Sequence, residues 1–213
     1  MSELDLTHMR RTYARTQLDE ASIGKNPIEQ LRVWLQEAYD AGAPEPHAMC
    51  VCTVHDGRPS ARMVLLRGLD ERGLVFYTSY FSRKAHDIAI NRQVAAVFYW
   101  PEVERQVRIE GTADQLPEDE SDVYFASRPR GHQLGAWASE QSELVESREL
   151  LDQRLLDYEE RFEGVDVPRP HSWGGYVIRP ERIEFWQGRP NRMHDRLEFS
   201  RNGGGWTLRR LQP

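Results

Sequence analysis

The sequence predicts an α+β fold, with an antiparallel sheet curled into a barrel and helices packed around it. Three observations carry this expectation. Between residues 48 and 116 lie five short β-branched or aromatic runs, parted by turn signals such as His55-Asp56-Gly57 and Asp70-Glu71-Arg72-Gly73. Helical periodicity is confined to a few segments flanking or interrupting that block. Strand-like runs return after Trp173 and can complete the sheet. The 213 residues suit one domain over 26–213, preceded by a flexible polar segment over 1–25. With 39% hydrophobic and 29% charged residues, the chain can build a core and does not read as disordered.

Taken in order, the first segment is polar and charged, with a short helix around Arg10 to Tyr13. A clear helix follows, with Asn26 as its cap, Pro27 in the first turn and Gly42 at its end. Ile28, Leu31, Leu35 and Ala38 form its apolar stripe. The strand runs are AMCVCTV, ARMVLLR, GLVFYTS, VAAVFYW and ERQVRIEGTADQL, with a short helix from Ser82 to about Asn91 among them. Pro117 opens a helix through Phe125. Another runs from Glu146 to Phe162 with Leu151, Leu155, Tyr158 and Phe162 on one stripe. The last strands are GGYVIRP, RIEFWQG, RLEFSR and GWTLRRL.

The net charge of −6 and a pI near 5.7 argue against nucleic acid as a partner. They also make each local arginine cluster a feature set against the overall balance. Cys50 and Cys52 share a strand face in poor geometry for a mutual disulfide, and read as small core residues. Reduced thiols suit the cytoplasm. The sequence shows neither a signal peptide nor an apolar run long enough for a membrane span. Dinucleotide, Walker and zinc-protease spacings are missing, and no metal is expected.

Five clusters could carry chemistry. In FYTSYFSRKAHDI, a strand ending at Tyr77-Thr78 leads to Ser82 as helix cap, then to Arg83-Lys84 in the first turn. Cations oppose the helix dipole there, unless a phosphate sits among them and the free N–H groups; otherwise both point to solvent. In SARMVLLRG, Arg62 and Arg67 have opposite strand parity, and can serve one ligand only if Arg67 lies past the strand end. Gln106 in ERQVRIEG, alternating with Val107 and Ile109 alongside Glu104 and Arg108, could meet the edge of a heteroaromatic ring or stay on the surface. Tyr124 and Arg128, four apart on one helical face, form a phosphate or carboxylate clamp, with Arg130 and His132 nearby and Gln141-Ser142 beyond. In WQGRPNRMHDR, an extended chain would put Arg192, His194 and Arg196 on one face after Trp186. Three basic groups so placed call for an anion, or form a wet edge strand. Together the clusters suit a flat aromatic cofactor with a phosphate tail and a second phosphorylated ligand.

The motifs RMVLLR, FYTSYFSRKAHDI, ERQVRIEG, YFASRPRGHQLGAW, SEQS, SWGGYVIRP, EFWQGRPNRMHDR and RLQP agree in order and spacing with one family. From about Met9 to Pro213 the chain resembles the pyridoxine/pyridoxamine 5′-phosphate oxidases. The resemblance implies a split β-barrel homodimer with FMN at the subunit interface. It implies FMN contacts at Arg62, Arg67, Tyr77, Thr78, Arg83, Lys84, Gln106, Gln141, Ser142, Trp186 and Arg196. Tyr124, Arg128 and His132 would clamp the substrate phosphate. Arg192 and His194 would lie over the substrate ring as the catalytic pair, and Arg10 and Tyr13 would belong to a segment folding over the site. The implied reaction takes pyridoxamine or pyridoxine 5′-phosphate to pyridoxal 5′-phosphate by hydride transfer to the flavin, with oxygen as acceptor and peroxide released. Arg67 departs from the family's usual lysine and His132 from its usual serine, which bears on substrate binding rather than fold. Two other readings remain: a split-barrel flavin reductase or oxidase for another substrate, and a non-catalytic protein binding FMN or pyridoxal phosphate.

Overall fold

Asn26 begins the first helix as its sequence demands. Its side-chain oxygen accepts from the Ile28 N–H at 2.9 Å, and Pro27 fills the first turn. A computed structural model describes residues 5–9 and 12–213 and places this helix, α1, at Pro27–Asp40. The other helices are α2 (Arg83–Ile90), α3 (Glu118–Ala126), α4 (Arg130–Ala138) and α5 (Arg148–Arg161). The strands are β1 (Ala48–His55), β2 (Arg58–Leu65), β3 (Gly68–Asp70), β4 (Gly73–Ser79), β5 (Gln93–Trp100), β6 (Arg105–Gln115), β7 (Trp173–Gln187), β8 (Asp195–Asn202) and β9 (Gly205–Leu211). They follow the order β2-β1-β5-β6-β7-β4-β3, with β8 beside β7 and β9 beside β8. This is the α+β split-barrel fold with helices around an antiparallel sheet.

Contacts divide the chain into two units. The first holds the described residues up to His47, Val97–Ile109 and Glu181–Pro213. In it α1 buries Ile28, Leu31, Trp34 and Ala38. Trp34 meets Phe185 edge-on at 5.0 Å and carries the Arg105 guanidinium 4.3 Å from its ring centre. The stripe is therefore centred on Trp34, while Leu35 is only half-buried. The second unit comprises Ala48–Ala96 and Glu110–Pro180. Its helical side packs Phe125, Leu134, Phe162, Val167 and Trp173 into one cluster.

Several expectations need correction. The short helix near the start is a 3-10 turn at Leu6–His8; Thr12 and Tyr13 are not helical, and Arg10 lies outside the described residues. GGYVIRP and RIEFWQG are one strand, because Pro180 sits within β7 without ending it. The register of β1 turns Met49, Val51 and Thr53 inward, so Cys50 and Cys52 are half-buried free thiols on the other face rather than core residues. Met193 and His194 precede β8. Pro190 starts a 3-10 turn, and Asn191 and Arg192 take left-handed φ of 56° and 63°, so Arg192, His194 and Arg196 do not share an extended face. Among the described residues no helix is long and apolar enough to cross a membrane.

The approach of β6 to β7 leaves no room for a side chain at Gly111: an added Cβ would lie 2.1 Å from the Arg179 carbonyl oxygen. Gly111→Ala should therefore cost about 2 kcal/mol or more, as overpacking against a backbone that cannot rotate away. Urea denaturation checks this, and an unchanged midpoint would show that the strands part freely.

Candidate functional site

The second unit contains a cleft of about 1160 Å³, more than one small ligand requires. Arg62, Arg67, Arg83, Lys84 and Arg128 line it, with His132, and among the described residues its lining includes no carboxylate. In a chain of net charge −6 this is a strong local excess of positive charge.

One end of the cleft is built by β2, the end of β4, the start of α2 and the Gln141-Ser142 loop. Arg62 is held by its own strand pair, its Nη1 donating to the Val51 carbonyl at 3.2 Å and its Nη2 to Ser60 Oγ at 2.9 Å. Burial lowers its pKa, with Arg83 adding to the effect and Asp87 opposing it. Lys84 is buried, and its Nζ donates to Thr78 Oγ1 at 2.9 Å, Ser82 Oγ at 3.1 Å and Gln141 Oε1 at 2.8 Å. Burial, reinforced by Arg62, pushes this ammonium down to about 8. Ser82 occupies the cap position of α2 but does not cap it: its hydroxyl donates to the Ser79 carbonyl and accepts from Lys84. The Arg83 N–H instead donates to Ser142 Oγ at 3.2 Å, with Ser142 held at φ 79°.

The other end is aromatic. Tyr77 and Tyr124 stack at 3.9 Å, and Tyr77 and Trp173 at 5.4 Å, all nearly parallel. Burial pushes the Tyr77 hydroxyl up to about 12. Arg128 lies 4.5 Å over the Trp173 ring, and its buried Nη1 has no hydrogen-bond partner among the described residues. Burial lowers its pKa; Tyr124 opposes this and Arg67 adds to it. An orphaned guanidinium N–H beside a tyrosine fits an anionic ligand group. The route by which Tyr124 and Arg128 come together differs from the expected one. α3 ends at Ala126, so Tyr124 and Arg128 do not share a helical face; Pro129 takes the cap position of α4, a helix not anticipated, with His132 in its first turn. Arg67 lies past the end of β2, as joint use with Arg62 requires, and its N–H donates to the Val75 carbonyl at 2.8 Å.

The first unit gathers the remaining candidates. Trp186 and His194 are 4.6 Å apart, and Tyr13 lies edge-on to both, at 5.7 and 5.9 Å. Tyr13 is placed there by Glu104, which sits in a turn before β6 at φ 57° rather than in the strand. The Glu104 carboxylate accepts from the Ala14 and Arg15 N–H groups at 3.0 and 3.1 Å. His194 Nδ1 accepts from the Arg189 N–H at 3.1 Å, which leaves the proton of the neutral ring on Nε2. Burial and then Arg192 lower its pKa. Arg196 donates from Nε and Nη2 to both oxygens of Glu184, at 2.8 and 3.0 Å, and from Nη1 to the Gln212 carbonyl. Glu184 is thus one anion for this basic segment. Gln106 is half-buried on β6, between the buried Val103 and Val107.

Lys84 generates a test with two opposite trends. In the free protein its charge is lost as pH rises through about 8, whereas an unfolded lysine keeps its proton to about 10.5. Between those values the unfolded state binds more protons, so the unliganded protein gains stability as pH rises. Over the same range inorganic phosphate should bind more weakly. Lys84→Met should abolish both trends, while a flat phosphate affinity in the unsubstituted protein would show that Lys84 stays charged.

Comparison with known proteins gives consistent results. Residues 35–162 match the family model described as pyridoxamine 5′-phosphate oxidase, and residues 173–213 match one described as a pyridoxine 5′-phosphate oxidase C-terminal dimerisation region. A pyridoxine/pyridoxamine 5′-phosphate oxidase of Rubrobacter xylanophilus is 60% identical, over 98% of this chain and 97% of that protein. One from Burkholderia cenocepacia is 52% identical, over 98% and 99%. Among solved structures, PhzG from Burkholderia lata in complex with tetrahydrophenazine-1-carboxylic acid superposes with a TM-score of 0.88 at 32% identity, over 94% of this chain and 99% of that one. A related FMN-binding protein of Nostoc punctiforme, at TM-score 0.69 and 17% identity over 85% and 97% of the two chains, shares the fold. The chain belongs to the pyridoxamine 5′-phosphate oxidase family.

Proposed function

We propose that the protein is an FMN-dependent oxidase that converts pyridoxamine and pyridoxine 5′-phosphates to pyridoxal 5′-phosphate, with oxygen as acceptor and hydrogen peroxide as co-product. The observation that carries this reading is a cleft lined, among the described residues, by five cations and no carboxylate, with Arg62, Arg83 and Lys84 in one group and Arg67 and Arg128 in another. Arg62, Arg83 and Lys84, with Thr78, Gln141 and Ser142, would hold the cofactor phosphate. Arg128 and Tyr124, with Arg67 and His132, would hold the substrate phosphate. When bound, FMN supplies the hydride acceptor.

The residues of the first unit complete the site in this reading. Trp186, Gln106 and Arg196 would contact the flavin. Arg192 would position and polarise the reacting carbon, His194 would offer its Nε2–H to the substrate, and Tyr13 would cover both. We assign these groups to a second copy of the chain, because the matched dimerisation region spans Trp186, Arg192, His194 and Arg196. The likeness to PhzG supports a second reading, in which the substrate is a carboxylated tricycle. The 60% identity to a pyridoxine/pyridoxamine 5′-phosphate oxidase favours the first.

An aerobic assay of the FMN-supplied protein with pyridoxamine 5′-phosphate, pyridoxine 5′-phosphate and a reduced phenazine carboxylate separates the readings. Product and peroxide from the B6 esters are expected; turnover of the tricycle alone would overturn the assignment. Arg192→Ala should keep FMN and lose turnover by two orders of magnitude or so, a typical loss for a positioning and polarising group. Near-normal turnover would remove Arg192 from the mechanism. Mixing inactive Arg128→Ala and Arg192→Ala subunits should restore about a quarter of full activity, since each mixed dimer then has one intact site. No recovery after verified subunit exchange would place each site within a single copy.

A further inference from the structure

The proposed function leaves one buried carboxylate behind the cationic end of the cleft without a role. Asp87 lies on α2, three residues after Lys84, and is 3% exposed. It reaches Arg62 through Thr53, a fully buried residue on β1. Arg62 Nη1 donates to Thr53 Oγ1 at 2.8 Å, and Thr53 Oγ1 lies 2.5 Å from Asp87 Oδ2. The direction of this relay is fixed. A guanidinium can only donate, so the Thr53 oxygen accepts from Arg62 and its single proton goes to Asp87. Asp87 Oδ2 is itself 3.9 Å from Arg62 Nη2, too far for a hydrogen bond. The other Asp87 oxygen faces His55, whose Nδ1 is 3.9 Å away.

The relay has a consequence for the shape of the donor set. Arg62 Nη1 is committed to Thr53 and the Val51 carbonyl, and one Nη2 proton to Ser60. Five N–H groups less these three leave the Nε proton and the second Nη2 proton. Among the described residues neither has a hydrogen-bonding partner. Nε and Nη2 flank one edge of the guanidinium, and with Ser60 on the other Nη2 proton that edge can grip a phosphate or carboxylate at two points. A guanidinium free to rotate lacks that preorganisation and would lose rotational freedom on binding.

We propose that Thr53 and Asp87 are positioning residues of the anion site: a buried hydroxyl–carboxylate relay that locks Arg62 so that its Nε/Nη2 edge remains as a two-point fork for a phosphate ester. This rests on the proposed function only in taking that ester to be FMN. It also gives a reason for a carboxylate close to an anion site. Asp87 accepts through an intervening hydroxyl, so it orients the fork without occupying it.

The test uses the full-length apoprotein, with inorganic phosphate and FMN as separate probes. Phosphate binding is read from the rise in melting temperature with concentration, and FMN binding from flavin fluorescence. The part of the phosphate response lost in Arg62→Ala isolates this end of the cleft. Thr53→Val, which keeps the shape and removes the hydroxyl, should weaken both ligands about tenfold, as expected for a charge-assisted contact. Thr53→Ser should restore them, and Thr53→Val should add little to Arg62→Ala, because the two act as one. Unchanged affinity in Thr53→Val, or a loss that adds in full to that of Arg62→Ala, overturns the relay. Should Thr53→Val fail to fold, Asp87→Leu is read in the same cycle against the same two outcomes. A Thr53-dependent phosphate response in a protein that takes up no FMN supports the relay and overturns the flavin assignment.

Discussion

The Lys84 ammonium is buried, and its three hydrogen bonds go to neutral oxygens on three segments: Thr78 at the end of β4, Ser82 before α2, and Gln141 in the loop after α4. A buried cation without a carboxylate beside it is costly, and a protein ordinarily pairs or neutralises such a group. Here the charge instead ties the strand end, the helix start and the loop together. It also explains why Ser82 abandons the cap of α2: its hydroxyl serves the ammonium, and Ser142 takes over the helix N–H at Arg83. Nearby, Arg62 rests on uncharged groups for its direct hydrogen bonds. The cationic end is thus ordered by groups of the chain itself. A ligand phosphate would find its donors already oriented, which is what preorganised electrostatics requires.

The aromatic end follows a different logic. Tyr77, Tyr124 and Trp173 come from β4, α3 and β7, and their rings lie nearly parallel. Arg128 covers the Trp173 face, so part of its stabilisation comes from the ring quadrupole rather than from a counter-ion. At both ends the cations make their direct contacts with uncharged groups, and the one carboxylate behind Arg62, Asp87, is reached through the Thr53 hydroxyl. The donors that face the cleft are therefore not covered by a carboxylate.

Much of this was legible in the sequence, and the reasons for the rest are specific. The strand runs of β1, β2, β4, β5 and β6 and the capped helix α1 follow from periodicity and turn chemistry. The placing of Arg67 was left open: parity made a position beyond the strand end the condition for joint use with Arg62, and the run ARMVLLR did not show that β2 stops at Leu65. The Tyr124–Arg128 spacing was misread, since the pre-proline position at Arg128 disfavours a continuing helix. That same signal, with Pro129 before a run of helix formers, could have revealed α4. The cysteines were misassigned because alternation shows that Cys50 and Cys52 share a face but not which face is buried. Thr53 and Asp87 carried no local signal at all. They are 34 residues apart, and only the packing of α2 against β1 joins them. The turn at Asn191-Arg192 was visible as Pro190-Asn191, a turn-forming pair, but was overridden by the alternation of basic residues.

The Arg128 guanidinium over Trp173 has an optical consequence. An indole whose face lies 4.5 Å from a full positive charge emits in a strong local electric field. A ligand anion neutralising that guanidinium, or drawing it from the ring, would change the field and with it the colour of the emission. The contact that holds the arginine in place would thus also make Trp173 an intrinsic gauge of occupancy, with no label added to the chain.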